Sequence, residues 1–451
     1  MTRQEKRRKA IIKRRIFLSV CAVVLAVFIV LITLLVKSCN KYNKTVNTDS
    51  SVTSSATKDK ESDLPKNEKV IDTYATVIST GDIMVHSTQL SGARISGSDE
   101  YDFSAFFKET APYLKNYDLA VANLEVTFGG TEAGAYSGYP AFNIPDSLAD
   151  VIKNAGFNFL VTANNHCYDT GLSGLKRTAR VLKDKGIDFI GTKEVESDKT
   201  YAVKEINGIK IGIGNYTYES EPENALSGRK YINGNLIKEE ANSLINSFAY
   251  KRIDEFYAQA EKTITAMKKD GAEFIVFYIH WGNEYKLEAN TWQKSIAQKL
   301  SNLGVDIIVG SHPHVIEPVE YITSEDGTNS TVCIYSTGNA ISNQRQEIMD
   351  SCPSGHTEDG MLFTFKIKKH GKDVTLENVD IIPTWVNKYS GTNGYQYTIY
   401  PLENANSGSE KYGLNSTAAL KSQKSYERTK AIVGEGLTAI QNAIGCPVTF
   451  Q

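Results

Sequence analysis

Seven histidines occur in this chain of 451 residues, and five of them sit in one kind of place. Short apolar runs end abruptly in polar residues able to do chemistry. TYATVIST ends in Gly81-Asp82, with His86 just beyond, and DLAVA ends in Asn123-Leu124-Glu125. FNFLVTA ends in Asn164-Asn165-His166, and EFIVFYI in His280-Trp281-Gly282-Asn283-Glu284. VDIIVG ends in Ser311-His312-Pro313-His314, and TVCIYS in Thr337-Gly338-Asn339. Neutral imidazole and carboxylate are the usual ligands of manganese, zinc and iron, so one or two such divalent ions would explain the gathering. The chemistry expected is polarisation of a phosphoryl or acyl oxygen and activation of water.

Taken singly, each cluster has a plainer explanation. Asp82 suits a turn after a strand, His280 a hydrogen-bonded core position, and Asn165-His166 the cap of a helix starting near Thr170. The pair around Pro313 is harder to explain that way. In an extended segment His312 and His314 point to one side, and two imidazoles beside an apolar strand are costly unless bound. Asn123 and Glu125 share a face by the same alternation. Six such endings in one chain argue for a shared site.

The elements that must position these residues follow from periodicity. Between the apolar runs lie amphipathic stretches: Leu148, Val151, Ile152 and Ala155, then Leu172, Leu175, Ala179 and Leu182, then Trp292, Ile296, Leu300 and Leu303. Asp146 or Ser147 suits the first cap, and Gly156, Gly186 and Gly304 stand where such helices stop. Strands alternating with helices predict an α/β domain, with the sheet covered on both faces and ligands bound off the carboxyl ends of strands. Residues 219–269 read as an insertion followed by a helix through Ile253, Phe256, Ala260 and Ile264. Beyond Thr384 the periodicity weakens, and a final helix is expected from about Ser425.

The first seventy residues differ in kind. Met1 to Arg15 carries eight Lys or Arg and one acid, and Ile16–Val36 is 21 residues without a charge, close to the ~20 that cross a bilayer. The run is long for a signal peptide's ~7–15 apolar residues and no A-x-A site follows. The expectation is an uncleaved single-pass anchor with residues 1–15 cytoplasmic and the bulk of the chain extracellular. Residues 37–70 are Ser-, Thr-, Asn- and Lys-rich and read as a flexible stalk. The whole chain has 50 basic and 52 acidic residues; the part beyond the tail has 42 against 51. That mildly acidic balance, with no basic tract, excludes nucleic acid as an expected partner. Cys167, Cys333, Cys352 and Cys446 show no CxxC spacing; Cys352 and Cys446 could pair in an oxidising exterior.

TGDIMVH, VANLE, ANNHCYDTG, HWGNEY, GSHPHVIEP and YSTGN, in this order, resemble the CapA family of capsule and poly-γ-glutamate biosynthesis proteins, related in fold to calcineurin-like metallophosphoesterases. The resemblance covers Tyr74 to Ile382. It implies a four-layer α-β-β-α sandwich over residues 71–384, with residues 385–451 an extension packing on it. It implies Asp82, Glu125, Asn165, His280, His312 and His314 as metal ligands, with Asp82 and His166 catalytic and His166 serving the leaving oxygen. His86, Asn123, Glu284 and Asn339 are expected to face substrate, Asn339 from a loop with Thr337 and Gly338. Two positions depart from the phosphoesterase pattern: Met84 stands where a histidine follows the first aspartate, and Glu125 is the nearest match to the bridging aspartate. The implied activity is hydrolysis of a phosphoester or envelope precursor. The alternative is an accessory subunit that binds the anionic polymer beside other membrane subunits of polymer synthesis.

Overall fold

The computed structural model describes residues 71–226 and 228–450. The expected cytoplasmic tail, anchor and stalk therefore lie outside the described residues. None of the described helices is long and apolar enough to cross a membrane.

Seventeen strands are present among the described residues. They are β1 (Thr73–Ile83), β2 (Leu119–Leu124), β3 (Phe159–Val161), β4 (Asp188–Ile190), β5 (Tyr201–Ile206), β6 (Ile209–Tyr218), β7 (Tyr231–Ile232), β8 (Asn235–Leu236) and β9 (Ser247–Phe248). Then come β10 (Phe274–His280), β11 (Ile307–Ser311), β12 (Val319–Thr323), β13 (Ser330–Ile334), β14 (Asn339–Ile341), β15 (Asp359–His370), β16 (Asp373–Gly391) and β17 (Gly394–Pro401). One sheet runs β17-β16-β15-β1-β2-β3-β4, with β14 beside β1. The other runs β12-β13-β11-β10-β6-β5, with β9 beside β6, and β7–β8 form a separate hairpin in the insertion.

The central strands pair in parallel: β1 with β2, β2 with β3, β6 with β10, and β10 with β11. Parallel pairing puts their carboxyl ends at one edge of each sheet. Every residue of β2, β10 and β11 is buried, as strands covered on both faces require. The two-residue alternation sorts them between cores. Val77, Val121, Ile211, Val276 and Ile307 pack in the core between the sheets. Ile78, Ala120 and Leu160 face outward, against Leu148 and Ile152 of helix Ser147–Ala155 and Leu182 of helix Gly171–Lys185. On the far side Phe277, Ile279 and Ile308 meet Phe256 and Ile264 of helix Ile253–Lys269 and Ile296 and Leu300 of helix Thr291–Asn302. Full burial of one such side chain is worth about 1.5–3 kcal/mol, which holds the helices onto the sheets.

Helix ends follow the glycines: Gly156 and Gly186 are left-handed C-caps, with φ of 116° and 64°. At the start of helix Ser147–Ala155, Asp146 makes no side-chain cap; it holds Arg177 at 2.7 Å instead. Trp292 stays 42% exposed although Ile296 and Leu300 on its helix are fully buried.

The expected division after Thr384 is not a structural boundary. β16 runs through it, and β17 forms the rim of the same sheet. The last helix spans Ser416–Ile444, beginning a full turn and more before Ser425. Its Val433, Leu437 and Ile440 enter the core between the sheets, and its Arg428 grips the buried Asp359 at 2.6 Å. Cys352 and Cys446 are free thiols.

Candidate metal centre

The carboxyl ends of the two sheets converge on one buried cluster. On the first sheet, a bulge between Thr80 and Asp82 turns Asp82 inward. Gly81 permits it, since a Cβ there would lie 1.7 Å from the Gly338 carbonyl oxygen. The Asp82 N–H donates to that same oxygen at 3.2 Å. Asn123, in register with Asp82, donates from Nδ2 to Asp82 Oδ1 (2.8 Å) and Glu125 Oε2 (3.3 Å). Asn164 supports it in turn, donating to Asn123 Oδ1 at 3.0 Å.

On the second sheet, His280 ends β10 opposite Ser311, the end of β11. The His280 ring bridges the sheets: Nε2 lies 2.8 Å from Asn165 Oδ1, and Nδ1 lies 2.9 Å from Ser311 Oγ. Ser311 Oγ can accept a proton carried on Nδ1, and the Nε2 lone pair then faces Asn165 Oδ1 and, at 3.6 Å, Glu125 Oε1, as a metal ligand requires. His314 Nδ1 lies 3.2 Å from both Asp82 Oδ2 and Asn339 Oδ1. Those acceptors fix its proton on Nδ1 and leave the Nε2 lone pair facing Glu125 Oε1, 3.9 Å away.

Three donor sets have ligand atoms within 4.8 Å of one another: Glu125, His280 and His312; Asp82, Glu125 and His314; and Glu284, His312 and His314. Glu125 Oε1 and His312 Nδ1 are buried without any hydrogen-bond partner. Each such atom forfeits its hydration, and of the fifteen found among the described side chains these two alone belong to the donor sets. Burial, and next the neighbouring Asp82, push the Glu125 carboxyl well above its usual range. Burial first, then the neighbouring imidazoles, pushes His280 and His312 well below theirs, leaving both neutral. Neutral imidazoles, two crowded carboxylates and two unpartnered donor atoms fit a divalent cation in hardness, charge and number.

The pair around Pro313 converges by a different route from strand alternation. β11 ends at Ser311, and His312 and His314 both take positive φ, 103° and 57°. His312 N–H donates to Asp82 Oδ2 at 3.3 Å, and the Pro313 carbonyl accepts from Tyr285 N–H at 2.8 Å. A bend, not an extended segment, aims the two rings.

His166 lies beside the cluster but outside the three donor sets. Its Nδ1 donates to Asp169 Oδ2 at 2.8 Å and its ring meets Phe142 edge-on at 4.7 Å. Asp169 went unnoticed in the sequence, although it stands three residues after His166 in NHCYD. His86 accepts the Asn343 N–H at Nδ1 (3.2 Å), and burial pushes it down to about 4. Asn123 and Asn339, expected to face substrate, are instead buried and spent on the protein. Asn339 donates to Gln344 and to the His314 and Thr357 carbonyls. Thr337 is likewise buried, donating to the Gly310 carbonyl at 3.2 Å. Glu284 is exposed and belongs to a donor set. Met84 is buried in the core under the outer helices and contributes no donor.

The family described as bacterial capsule synthesis protein PGA_cap matches residues 76–344. The chain belongs to this family. Two curated relatives are the capsule biosynthesis protein CapA of Bacillus anthracis, 26% identical over 63% of this chain, and the PGA biosynthesis protein CapA of Bacillus subtilis, 27% identical over 69%. The chain spans 62% and 72% of their respective lengths. Similar solved structures include the calcineurin-like phosphoesterase YfkN of B. subtilis, at 14% identity and a TM-score of 0.37, covering 80% of this chain and 98% of that one. Another is a putative 5'-nucleotidase from Staphylococcus aureus, at 16% identity and 0.40, covering 69% and 54%.

Proposed function

We propose that this PGA_cap member acts outside the cell in capsule or poly-γ-glutamate biosynthesis, hydrolysing a phosphoester of an envelope precursor at a divalent-metal centre. The observation that carries the reading is the pair of buried, unpartnered donor atoms, Glu125 Oε1 and His312 Nδ1, inside a shell of imidazoles and carboxylates. Asp82, Glu125, Asn165, His280, His312 and His314 would hold manganese, zinc or iron, with Glu284 at the open side. A cation there supplies Lewis acidity toward a phosphoryl oxygen. Asn123 holds the two carboxylates apart and aimed, and Asn339 and Ser311 fix the rings of His314 and His280. His166, oriented by Asp169, gives a proton to the departing oxygen. Residues 16–36 anchor the chain in the membrane, residues 1–15 stay cytoplasmic, and residues 37–70 let the body reach its substrate.

The test uses the purified full chain in detergent, a chromogenic phosphomonoester and phosphodiester, and added manganese or zinc. Turnover should require metal and fall at least a hundredfold in His280→Ala and His312→Ala. Activity unchanged in both variants would refute the assignment. Met84 supports a second reading: with an apolar side chain where the phosphoesterase pattern has a ligand, the centre would bind polymer as an accessory of the synthesis machinery. Wild-type polymer production by an Asp82→Ala, His312→Ala strain, with no phosphatase activity in the purified protein, would favour it.

A further inference from the structure

A pocket of about 450 Å3 opens beside His312, between Tyr218 and Tyr250 on one side and Asn283 and Glu284 on the other. Aromatic rings form a file from the centre to the surface. His280 stacks with Tyr218 at 6.4 Å, Tyr218 stacks with Tyr250 at 6.2 Å, and Tyr250 meets Trp292 at 5.5 Å. Trp292 ends the file 42% exposed, at the start of a helix whose other apolar residues are buried. Tyr218 and Tyr250 line the cavity themselves, and partly exposed rings beside a cavity are the usual means of gripping a ligand that has one apolar face.

The charges narrow the choice of ligand. Arg252, behind the pocket, is already held by Glu219 at 3.0 Å and by Glu221. Among the described residues Lys251 is the one cation that lines the pocket, against Glu219, Glu221 and Glu284. An acidic peptide such as a glutamate polymer would need arginines or lysines free to pair, and would meet Glu221 and Glu284 instead. A pyranose ring suits what is there. Its C–H face lies flat on aromatic rings, and its hydroxyls donate to carboxylate and amide oxygens of the kind that Glu284 and Asn283 present.

We infer that this pocket is a subsite for a sugar ring. Resting on the hydrolase reading above, the substrate is then a saccharide-bearing phosphoester and not a bare acidic peptide. Binding is measured with the full chain in detergent on an array of neutral gluco-, galacto- and N-acetylhexosamine oligosaccharides that also carries a γ-linked glutamate decamer. The wild type should bind at least one neutral oligosaccharide. Tyr250→Ala should weaken that binding at least tenfold and Tyr250→Phe should restore part of it, with both variants keeping the wild-type circular dichroism. Binding is repeated in EDTA, where it should persist, so a failed metal centre and a failed sugar subsite are read separately. Absence of saccharide binding by folded wild type, binding indifferent to Tyr250, or Tyr250-dependent capture of the glutamate decamer would each overturn the inference.

Discussion

Replacing Glu125 by glutamine should act in opposite directions with and without divalent metal. An oxygen of Glu125 and one of Asp82 lie within 4.8 Å of each other, and both side chains are fully buried. At an effective dielectric near 20, two negative charges at that separation repel by about 3.5 kcal/mol. The metal-free protein relieves this by keeping a proton on Glu125, whose carboxyl burial and Asp82 hold well above its ordinary value of 4.5. Holding that acid protonated above its ordinary range costs folding stability. A neutral isostere should remove a penalty of the order of that repulsion, about 3 kcal/mol.

The sign with pH follows from the direction of the shift. A folded state that retains the extra proton is at no disadvantage below about pH 4.5. It loses stability as pH rises above that value, because the unfolded chain ionises there while the folded one still holds its proton. In chelator, then, Glu125→Gln should match the wild type near pH 4.5 and exceed it by about 3 kcal/mol at pH 7. With manganese or zinc at a thousandfold above its Kd, the wild type should gain about 4 kcal/mol. The variant lacks one anionic ligand, and a loss of about 100-fold in affinity would take some 2.7 kcal/mol from that gain. Urea unfolding followed by tryptophan fluorescence, at two pH values with and without metal, measures all four quantities. A variant no more stable than wild type in chelator at pH 7, or equally protected by metal, would refute the reasoning.

Three further perturbations test the surrounding frame. Burial pushes the Glu317 carboxyl, which accepts from Gln293 at 2.6 Å, up to about 8. Its penalty therefore grows as pH rises from about 4.5 to 8, and thermal unfolding of Glu317→Gln should show a gain of about 2 kcal/mol or more at pH 8 that fades toward pH 5. Gly81→Ala sets a Cβ 1.7 Å from the backbone oxygen of Gly338; it should cost about 3 kcal/mol or more and reduce metal bound per chain, read by denaturation and elemental analysis. Asp169→Asn removes the carboxylate that orients His166. It should lower turnover by about 10- to 100-fold while leaving metal content unchanged, and an equal loss of metal would contradict its role as the group that orients His166.

Much of this was legible because both sheets are covered on their two faces. Strands such as IVFYI and DIIVG must then be apolar throughout, and a polar residue at their ends stands out. Helix stops were legible from Gly156 and Gly186, where a left-handed residue is needed. The partly exposed rim was not. β16 and β17 carry Lys388, Tyr389, Gln396 and Tyr395 on half-solvated faces, so residues beyond 384 lose the apolar signature without leaving the sheet. The first half of helix Ser416–Ile444 buries small residues, Ala418, Ser422, Ser425 and Thr429, and its buried face turns aliphatic only from Val433. In the centre, ligand-type residues were readable one cluster at a time. The roles of Asn123 and Asn339 were not, because an amide that serves substrate and one that holds a neighbour look alike until the neighbour is placed. Tyr218 and Tyr285 ended in the site without any local pattern to mark them.

The bend at Ser311-His312-Pro313-His314 is the strongest physical argument that the cluster exists for its ring nitrogens. Positive φ in a non-glycine residue costs of order 1 kcal/mol or more, and two such residues flank one proline. Glycine at 312 or 314 would relieve that strain, and nothing in the apolar core depends on either side chain. What opposes the strain is the hydrogen bonding of the loop: His312 N–H to Asp82, Tyr285 N–H to Pro313, and Asn339 Nδ2 to His314. These bonds hold His312 where its Nδ1 has no partner, and His314 where its Nε2 faces an equally unpartnered oxygen of Glu125. Backbone strain, an orphaned nitrogen and an orphaned carboxylate oxygen are three separate losses of stability within a few ångströms. A cation shared by these donors offsets all three at once, which no rearrangement of the protein's own hydrogen bonds would do while keeping Asp82 and Glu125 side by side.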